Sequence, residues 1–402
     1  MALGDGSDDA ALHAAWIDFC ERLKVAGARV FKDLNPTSGL QRADGFRFLT
    51  QNLGQAFDLG LETRDPRYPA IHAFCNPTRK LGGDCADFVY QQAWIDGEST
   101  YRVVGNRGTA RFLNITVQGP RPDGPGVLHE PFGDVPEANL FGHELTAEPD
   151  GSFEIHVGGE QRGANWLPTT AGSRKLFIRQ GFDSWEERPA RLQIERVDMA
   201  TPKPPATPES MIDAMGWAGD FVTGLMDDWP EFPFRYGGVD AANPNRFPAA
   251  GAIAADAKRG RAATNMHWVL AADEALIIEF DAHDGLWMFT NMGVFFNSMD
   301  YLYRPVSYTP SRTAVDGDGK VRLVLAHDDP GYHNWVDTQG FERGNITYRH
   351  MLAGEPAELH TRVVKRAQLV DALPPDSATV TAAERVAQMW ARFNGIRQRY
   401  NL

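Results

Sequence analysis

The sequence predicts a mainly β protein: two tandem jelly-roll or β-sandwich domains related by internal duplication, with flanking α-helices. Three observations carry this. Short runs of alternating apolar and polar residues, separated by Asp-Gly, Gly-Gly and Asn-Arg-Gly turns, fill two long stretches of the chain. These strands are grouped, not interleaved with helices, which disfavours a doubly wound α/β sheet. One Asp-Gly … Asn-Trp … Arg signature occurs twice.

The elements follow in order. Residues 1–64 read as an N-terminal helical segment. Leu12, Trp16, Phe19, Cys20 and Leu23 recur at helical spacing, as do Phe46, Leu49, Leu53 and Phe57. Gly60, Pro66 and Pro69 stop the second stripe. Residues 65–199 read as the first sandwich, with strands in FVYQQAWI, TYRVVG, ARFLNITV, SFEIHV, KLFIRQGF and ARLQIERV. Residues 200–250 are a Pro-rich linker and a helix. Thr207 is its N-cap, Pro208 takes the first position and Glu209 suits the positive helix end. Ile212, Met215, Val222, Leu225 and Trp229 give it an apolar face, and Pro230 and Pro233 are expected to end it. Residues 251–370 read as the second sandwich, with strands in HWVLA, ALIIEFD, LWMFTNMGVFF, KVRLVLAH, NITYRHML and HTRVVKRA. Residues 371–402 hold a closing helix. Thr381 and Glu384 make a capping box, and Val386, Met389, Trp390 and Phe393 are its expected buried stripe.

Composition bounds the function. A chain of 402 residues is too long for one ordinary core. A net charge of -13 repels nucleic acid and anionic membranes. The N-terminus lacks a basic region followed by an apolar one, and no run approaches the ~20 apolar residues of a membrane span. Three cysteines, Cys20, Cys75 and Cys85, fit free thiols in a reducing cytoplasm. The expected location is therefore cytoplasmic.

The repeat aligns residues 150–180 with 318–350. Asp150-Gly151 matches Asp318-Gly319, Asn165-Trp166 matches Asn334-Trp335, Thr169 matches Thr338, Gly172 matches Gly340 and Arg179 matches Arg349. Asp-Gly makes a hairpin turn because Gly accepts positive φ. Asn can bond local backbone, and Trp can cover a sandwich edge. A residue needed twice is read as scaffold.

The Asn-Trp element with its downstream aromatic strand resembles the DUF1214 family of bacterial proteins of unknown function. The second half is the closer match, and GGDCADFVYQQAWIDGESTYRVVGNRG in the first half resembles a DUF1254-type neighbour. The resemblance implies tandem jelly rolls, similar in outline to peptide N-glycosidases. It implies little chemistry.

Candidate chemistry concentrates where the halves differ. The loop HDDPGYHNW, residues 327–335, carries His327, Asp328, Asp329, His333 and Asn334. It is read as a turn first and a metal or acid–base site second. His267 and His333 are candidate general acids or bases, Asp329 a partner, Tyr301 a polariser and Arg349 an anion clamp. Asn291, Phe295, Phe296, Asn297, Tyr303, Tyr308, Asn334, Trp335 and Tyr236 are candidate substrate contacts, forming an aromatic wall with orienting amides. No Walker loop, GxGxxG, GxSxG or CxxC occurs, so no nucleotide or flavin cofactor and no metal are expected. The expected function is a cofactor-independent acid–base enzyme (lyase, isomerase, hydratase or hydrolase) on a bulky hydrophobic or aromatic small molecule. The alternatives are a carbohydrate-binding or glycan-hydrolysing jelly roll, and a non-catalytic assembly protein that forms a homo-oligomer.

Overall fold

The computed structural model describes residues 6, 8–32, 38–120, 134–248, 254–256, 261–352 and 354–402. It is mainly β, with helices at the flanks and between two sets of strands. Helices α1 (Asp9–Arg29) and α2 (Gly39–Phe57) come first. The first strand set is β1 (His72–Cys75), β2 (Phe88–Trp94), β3 (Tyr101–Asn106), β4 (Phe112–Gly119), β5 (Val135–Phe141), β6 (Ser152–Val157), β7 (Trp166–Leu167), β8 (Lys175–Gly181) and β9 (Arg191–Arg196). Helix α3 (Pro208–Arg235) leads to the second set: β10 (Ala254–Asp256), β11 (Arg261–Val269), β12 (Glu274–Asp281), β13 (Leu286–Met292), β14 (Ser307–Tyr308), β15 (Lys320–Ala326), β16 (Trp335–Asp337), β17 (Arg343–Met351) and β18 (His360–Lys365). The short α4 (Leu369–Ala372) and α5 (Ala382–Tyr400) close the chain.

Both sets have one topology. The five-stranded sheets run β1-β2-β8-β4-β5 and β10-β11-β17-β13-β14, and the four-stranded sheets run β7-β6-β3-β9 and β16-β15-β12-β18. Every strand of the second set occupies the place of its counterpart nine strands earlier. The short pairings β6–β7 and β15–β16 are parallel in both. Gly151 and Gly319 sit at φ 83° and 82°, so the Asp-Gly turn has one conformation in both halves.

Each half closes a core between its two sheets. Tyr101, Val103, Ile115, Val117, Phe153, Ile155, Leu176 and Ile178 fill the first, and Leu276, Ile278, Trp287, Phe289, Leu323, Leu325, Ile346 and Tyr348 the second. A third core lies between the halves. Phe88, Tyr90, Phe112 and Phe177 on the outer face of one five-stranded sheet join Leu286, Met288 and Met351 on the other, together with Phe48, Phe221, Leu225 and Trp229 from α2 and α3. Each such side chain contributes roughly 1.5–3 kcal/mol of burial free energy. The five-stranded sheets are thus covered on both faces, which is why β4, β8 and β13 are buried along their whole length.

The repeated Asn is a brace in both halves. Asn165 donates to the Thr146 and Glu154 carbonyls at 2.7 and 2.9 Å and accepts from the Thr146 amide at 2.9 Å. Asn334 donates to the Ala314 and Arg322 carbonyls at 2.8 and 3.0 Å and accepts from the Ala314 amide at 2.9 Å. The neighbouring indoles, Trp166 and Trp335, each donate to a carbonyl at the end of β6 or β15, of Gly158 and Ala326.

Three expectations about helices need correction. Helix α3 starts where predicted, with Thr207 capping Ser210, but it runs through Pro230 and Pro233 to Arg235. Two missing donors close to its C-terminal end do not stop it. On α2, Phe46 is exposed, and the buried face includes Gln41, Asn52 and Gln55. Helix α5 has its predicted capping box, but its buried stripe is Arg385, Arg392, Ile396 and Arg399, while Val386 and Trp390 are 56% and 59% exposed. The three arginines are seven residues apart and so share a face. They are held there by carboxylates and carbonyls of the body, a tertiary choice that hydrophobic periodicity cannot register. Strands β1, β5, β7, β10, β14 and β16 lie outside the expected runs.

Candidate functional site

Two loops, one from each half, meet in the seam between the five-stranded sheets. The first follows β1. Asn76 accepts from the Thr78 and Arg79 amides and turns the chain, and Asn52 of α2 holds the Lys80 carbonyl at 2.8 Å. At Gly82 the Trp229 ring lies 1.7 Å from where a Cβ would be, so only glycine fits. Gly83 follows at φ +71°, and its amide donates to the Phe296 carbonyl at 2.7 Å. The second loop follows β13. The Gly293 amide donates to Asn297 and the Phe296 amide to Gly293, which forces Phe296 to φ 57°. For an aromatic residue that conformation is costly, and such strain concentrates at functional sites.

These loops bring four buried side chains together. The Lys80 ammonium donates to the Ser298 hydroxyl at 3.0 Å and lies 3.2 Å from the Tyr301 ring centroid. The Ser298 hydroxyl donates to Asp84 Oδ2, and the Ser298 amide donates to Asp84 Oδ1 at 2.7 Å. Burial pulls the Lys80 amine down to about 8 and pushes the Asp84 carboxyl up. Arg349, on β17, donates to the Gly83 carbonyl at 2.6 Å, while its Nε and Nη1 are buried and have no hydrogen-bond partner among the described residues. Asn297 donates to Asp44 at 3.2 Å, leaving its Oδ1 unpartnered. Trp229, Phe232 and Phe296 stack over the glycines as an aromatic cover. A lysine that exchanges its proton near neutrality, a serine between it and a carboxylate, and an arginine with free N–H groups can together move a proton and hold an oxyanion.

The sequence-predicted residues do not form one site. Tyr301, Arg349, Phe295, Phe296 and Asn297 do line this seam. Tyr301 is fully buried with its hydroxyl pushed up by burial, so it acts as a ring under Lys80. Asn291 is taken by the Trp268 indole and the Asp337 carbonyl. Around α5 a second group is structural. Asp329 is held by Arg385 at 2.9 Å, His333 contacts Gln388 at 3.0 Å, and the Tyr308 hydroxyl donates to the His333 and Trp335 carbonyls. Asn334 and Trp335 are the brace described above. His267 lies apart on β11, with the Phe234 ring 5.3 Å away, and burial lowers its pKa. Tyr303 and Tyr236 are exposed. In the 327–335 loop, His327 meets Thr338, Asp328 meets Arg366 and Asp329 meets Arg385, so its polar groups diverge.

Sequence reasoning missed Lys80 and Ser298 and read the Gly-Gly pair before Asp84 only as a turn. The available signals were a lone lysine before Gly-Gly-Asp and a serine inside the aromatic segment 291–312. Two open grooves lie elsewhere, on the outer face of the first four-stranded sheet. One groove of about 540 Å³ is lined by Glu154, His156 and Asn165, and one of about 380 Å³ by Arg102, Gln193 and Glu195. His156 Nε2 is 3.0 Å from Glu154 there. No helix among the described residues is long and apolar enough to cross a membrane.

A family model described as "Protein of unknown function (DUF1214)" matches residues 89–180. The match falls in the first half, whereas the sequence reading set the closer resemblance in the second. The crystal structure of an uncharacterized protein from Burkholderia cenocepacia is similar at 31% identity and TM-score 0.80, covering 89% of this chain and 99% of that one. The VPA0106 protein from Vibrio parahaemolyticus aligns at 10% identity and TM-score 0.42, covering 87% and 100%. No curated protein matches the chain.

Proposed function

Since the chain belongs to the DUF1214 family, whose description names no activity, we propose a function from the seam itself: a cofactor-independent acid–base enzyme acting in the cytoplasm on a bulky hydrophobic or aromatic small molecule. One observation carries the reading: buried Lys80 is hydrogen-bonded to Ser298, which is bonded in turn to Asp84. Burial lowers the Lys80 pKa to about 8, so a useful fraction is a neutral amine that can take a proton. Arg349 supplies free N–H groups for a substrate carboxylate or a developing oxyanion, and Trp229, Phe232 and Phe296 supply apolar walls. The working groups are sealed, so substrate entry requires the aromatic end of α3 to move off Gly82 and Gly83.

The test is a thermal-shift screen of the full chain against aromatic and alicyclic carboxylates, amides and esters, followed by turnover of the hits. The reading predicts at least one compound that raises Tm. It also predicts turnover that climbs with pH through a midpoint near 8 as Lys80 loses its proton, and that Ser298→Ala lowers about 10²-fold or more. No stabilising compound, or full turnover by Ser298→Ala, overturns it.

The carbohydrate reading has one observation in its favour, the open polar groove around Glu154 and His156. No indole is among its lining residues. Binding on a glycan array that Glu154→Gln abolishes is the result that would favour it. Exposed Val386 and Trp390 on α5 support self-association into a homo-oligomer.

A further inference from the structure

A second cluster of buried charge lies around Trp185, and its Arg392 reaches the Tyr301 carbonyl. The guanidinium carbons of Arg312, Arg392 and Arg399 sit 3.9, 5.1 and 4.8 Å from the centroid of one indole, Trp185, so no two are more than about 10 Å apart. The arginines come from a loop of the second half and from α5, and Trp185 from the first half. Among the described residues, one carboxylate binds them. Asp87 Oδ2 meets Arg312 at 2.7 Å and Asp87 Oδ1 meets Arg399 at 3.1 Å. The neighbouring carboxylates are committed elsewhere: Asp183 to Arg111 and the Ser311 amide, Glu187 to the Asp183 and Ser184 amides, Glu186 to Ser184. Arg392 is bonded only to neutral oxygens, of Ser307 and the Tyr301 carbonyl.

Among the described residues, three cations, two of them buried, therefore face one carboxylate. Unpaired buried charge is expensive, and proteins normally neutralise it. The imbalance shows in Arg392, which burial and then Arg312 pull down to about 9. Unused donors remain as well: Arg312 Nη1, Arg392 Nε and Arg399 Nε are buried with no hydrogen-bond partner. Trp185 itself is half-buried.

We propose that the arginines around Trp185 form a binding site for a small oxyanion, a phosphate, sulfate or carboxylate group, which supplies the missing negative charge. Guanidinium groups favour these anions because their planar N–H pairs match two oxygens at once. The site is independent of the Lys80 chemistry.

Thermal shift and calorimetric titration at constant ionic strength, with inorganic phosphate, sulfate and benzoate against chloride, test it on the full chain. The expected result is saturable binding of at least one oxyanion, with a Tm rise of about 3 °C at a hundredfold excess over Kd. Arg392→Gln should weaken that binding about tenfold or more, and Arg392→Lys should retain part of it. Should Arg392→Gln fail to fold, Trp185→Phe reads the same site, because the fluorescence change on anion binding should disappear with the indole. A saturable response separates phosphate and sulfate from benzoate and so assigns the source. No response to any of the three, or a response unchanged in Arg392→Gln and Trp185→Phe, overturns the proposal.

Discussion

The two four-stranded sheets use equivalent strands in the same order, yet among the described residues one is bare and the other is roofed. In the second half, Leu369 and Leu373 from the chain around α4 pack on Ala275, Ile277, Val324 and Ala326. In the first half the equivalent face carries the open grooves. The residues have changed to suit. The cross-strand pair Arg102–His156 of the first half stands where Ile277–Val324 stands in the second. Charged residues pair with the open face and aliphatic ones with the covered face, as burial energetics requires. The Asn brace, by contrast, is identical in both. What the halves share is scaffold, and what they do not share records how each face is used. In the seam, Lys80 and Asp84 from the first half meet Ser298 from the second.

This contrast can be broken by mutation, beginning with the roof. Leu373→Ala should cost about 2–4 kcal/mol in denaturant unfolding, because it opens a cavity above β12 and β15. Val104→Ala, on the uncovered face of the first half, should cost under about 1 kcal/mol. Equal losses would mean that the first face is also covered in solution. The brace should behave symmetrically: Asn165→Ala and Asn334→Ala should each cost about 2 kcal/mol, since each strands buried backbone groups. A variant that loses ligand binding at full stability would return that Asn to the list of functional residues. The smallest contrast concerns the two Asp-Gly turns under acid. Asp150 is held low by hydrogen bonds from Ser152, and Asp318 is held further down, to about 2, by Arg322. Both folded values lie below the unfolded value. Each therefore stabilises the fold above the ordinary carboxylate range and loses that contribution as pH falls. NMR titration should show Asp318 still ionised near pH 3, and Asp318→Asn should remove its share of the acid limb.

Much of the fold was legible because it is written in local chemistry. The Asp-Gly turns, the Asn-Trp loops and the caps at Thr207 and Thr381 each act within a few residues, and the structure shows each of them. The face of α5 was not legible, because arginine counts as polar in any periodicity while Asp87 and the Tyr332, His333 and Ser307 carbonyls make it an interior residue. The seam was half legible. Arg349 and the aromatic segment 291–312 drew attention by composition, but the partners Lys80 and Ser298 are 218 residues apart and meet only through tertiary packing. In the His- and Asp-bearing loop, Asp328 and Asp329 pair with Arg366 and Arg385, partners that lie far downstream and that local sequence could not reveal.

The most direct test is the titration of Lys80 itself. Isotope-labelled lysine NMR of the full chain, with the resonance assigned by Lys80→Arg, should give a midpoint near 8. A folded value below the ordinary ~10.4 also means that stability rises between those two pH values, as the unfolded chain alone still binds the proton. A midpoint near 10 would show a solvated or fully ion-paired amine, and the seam would then be a structural lock without acid–base function.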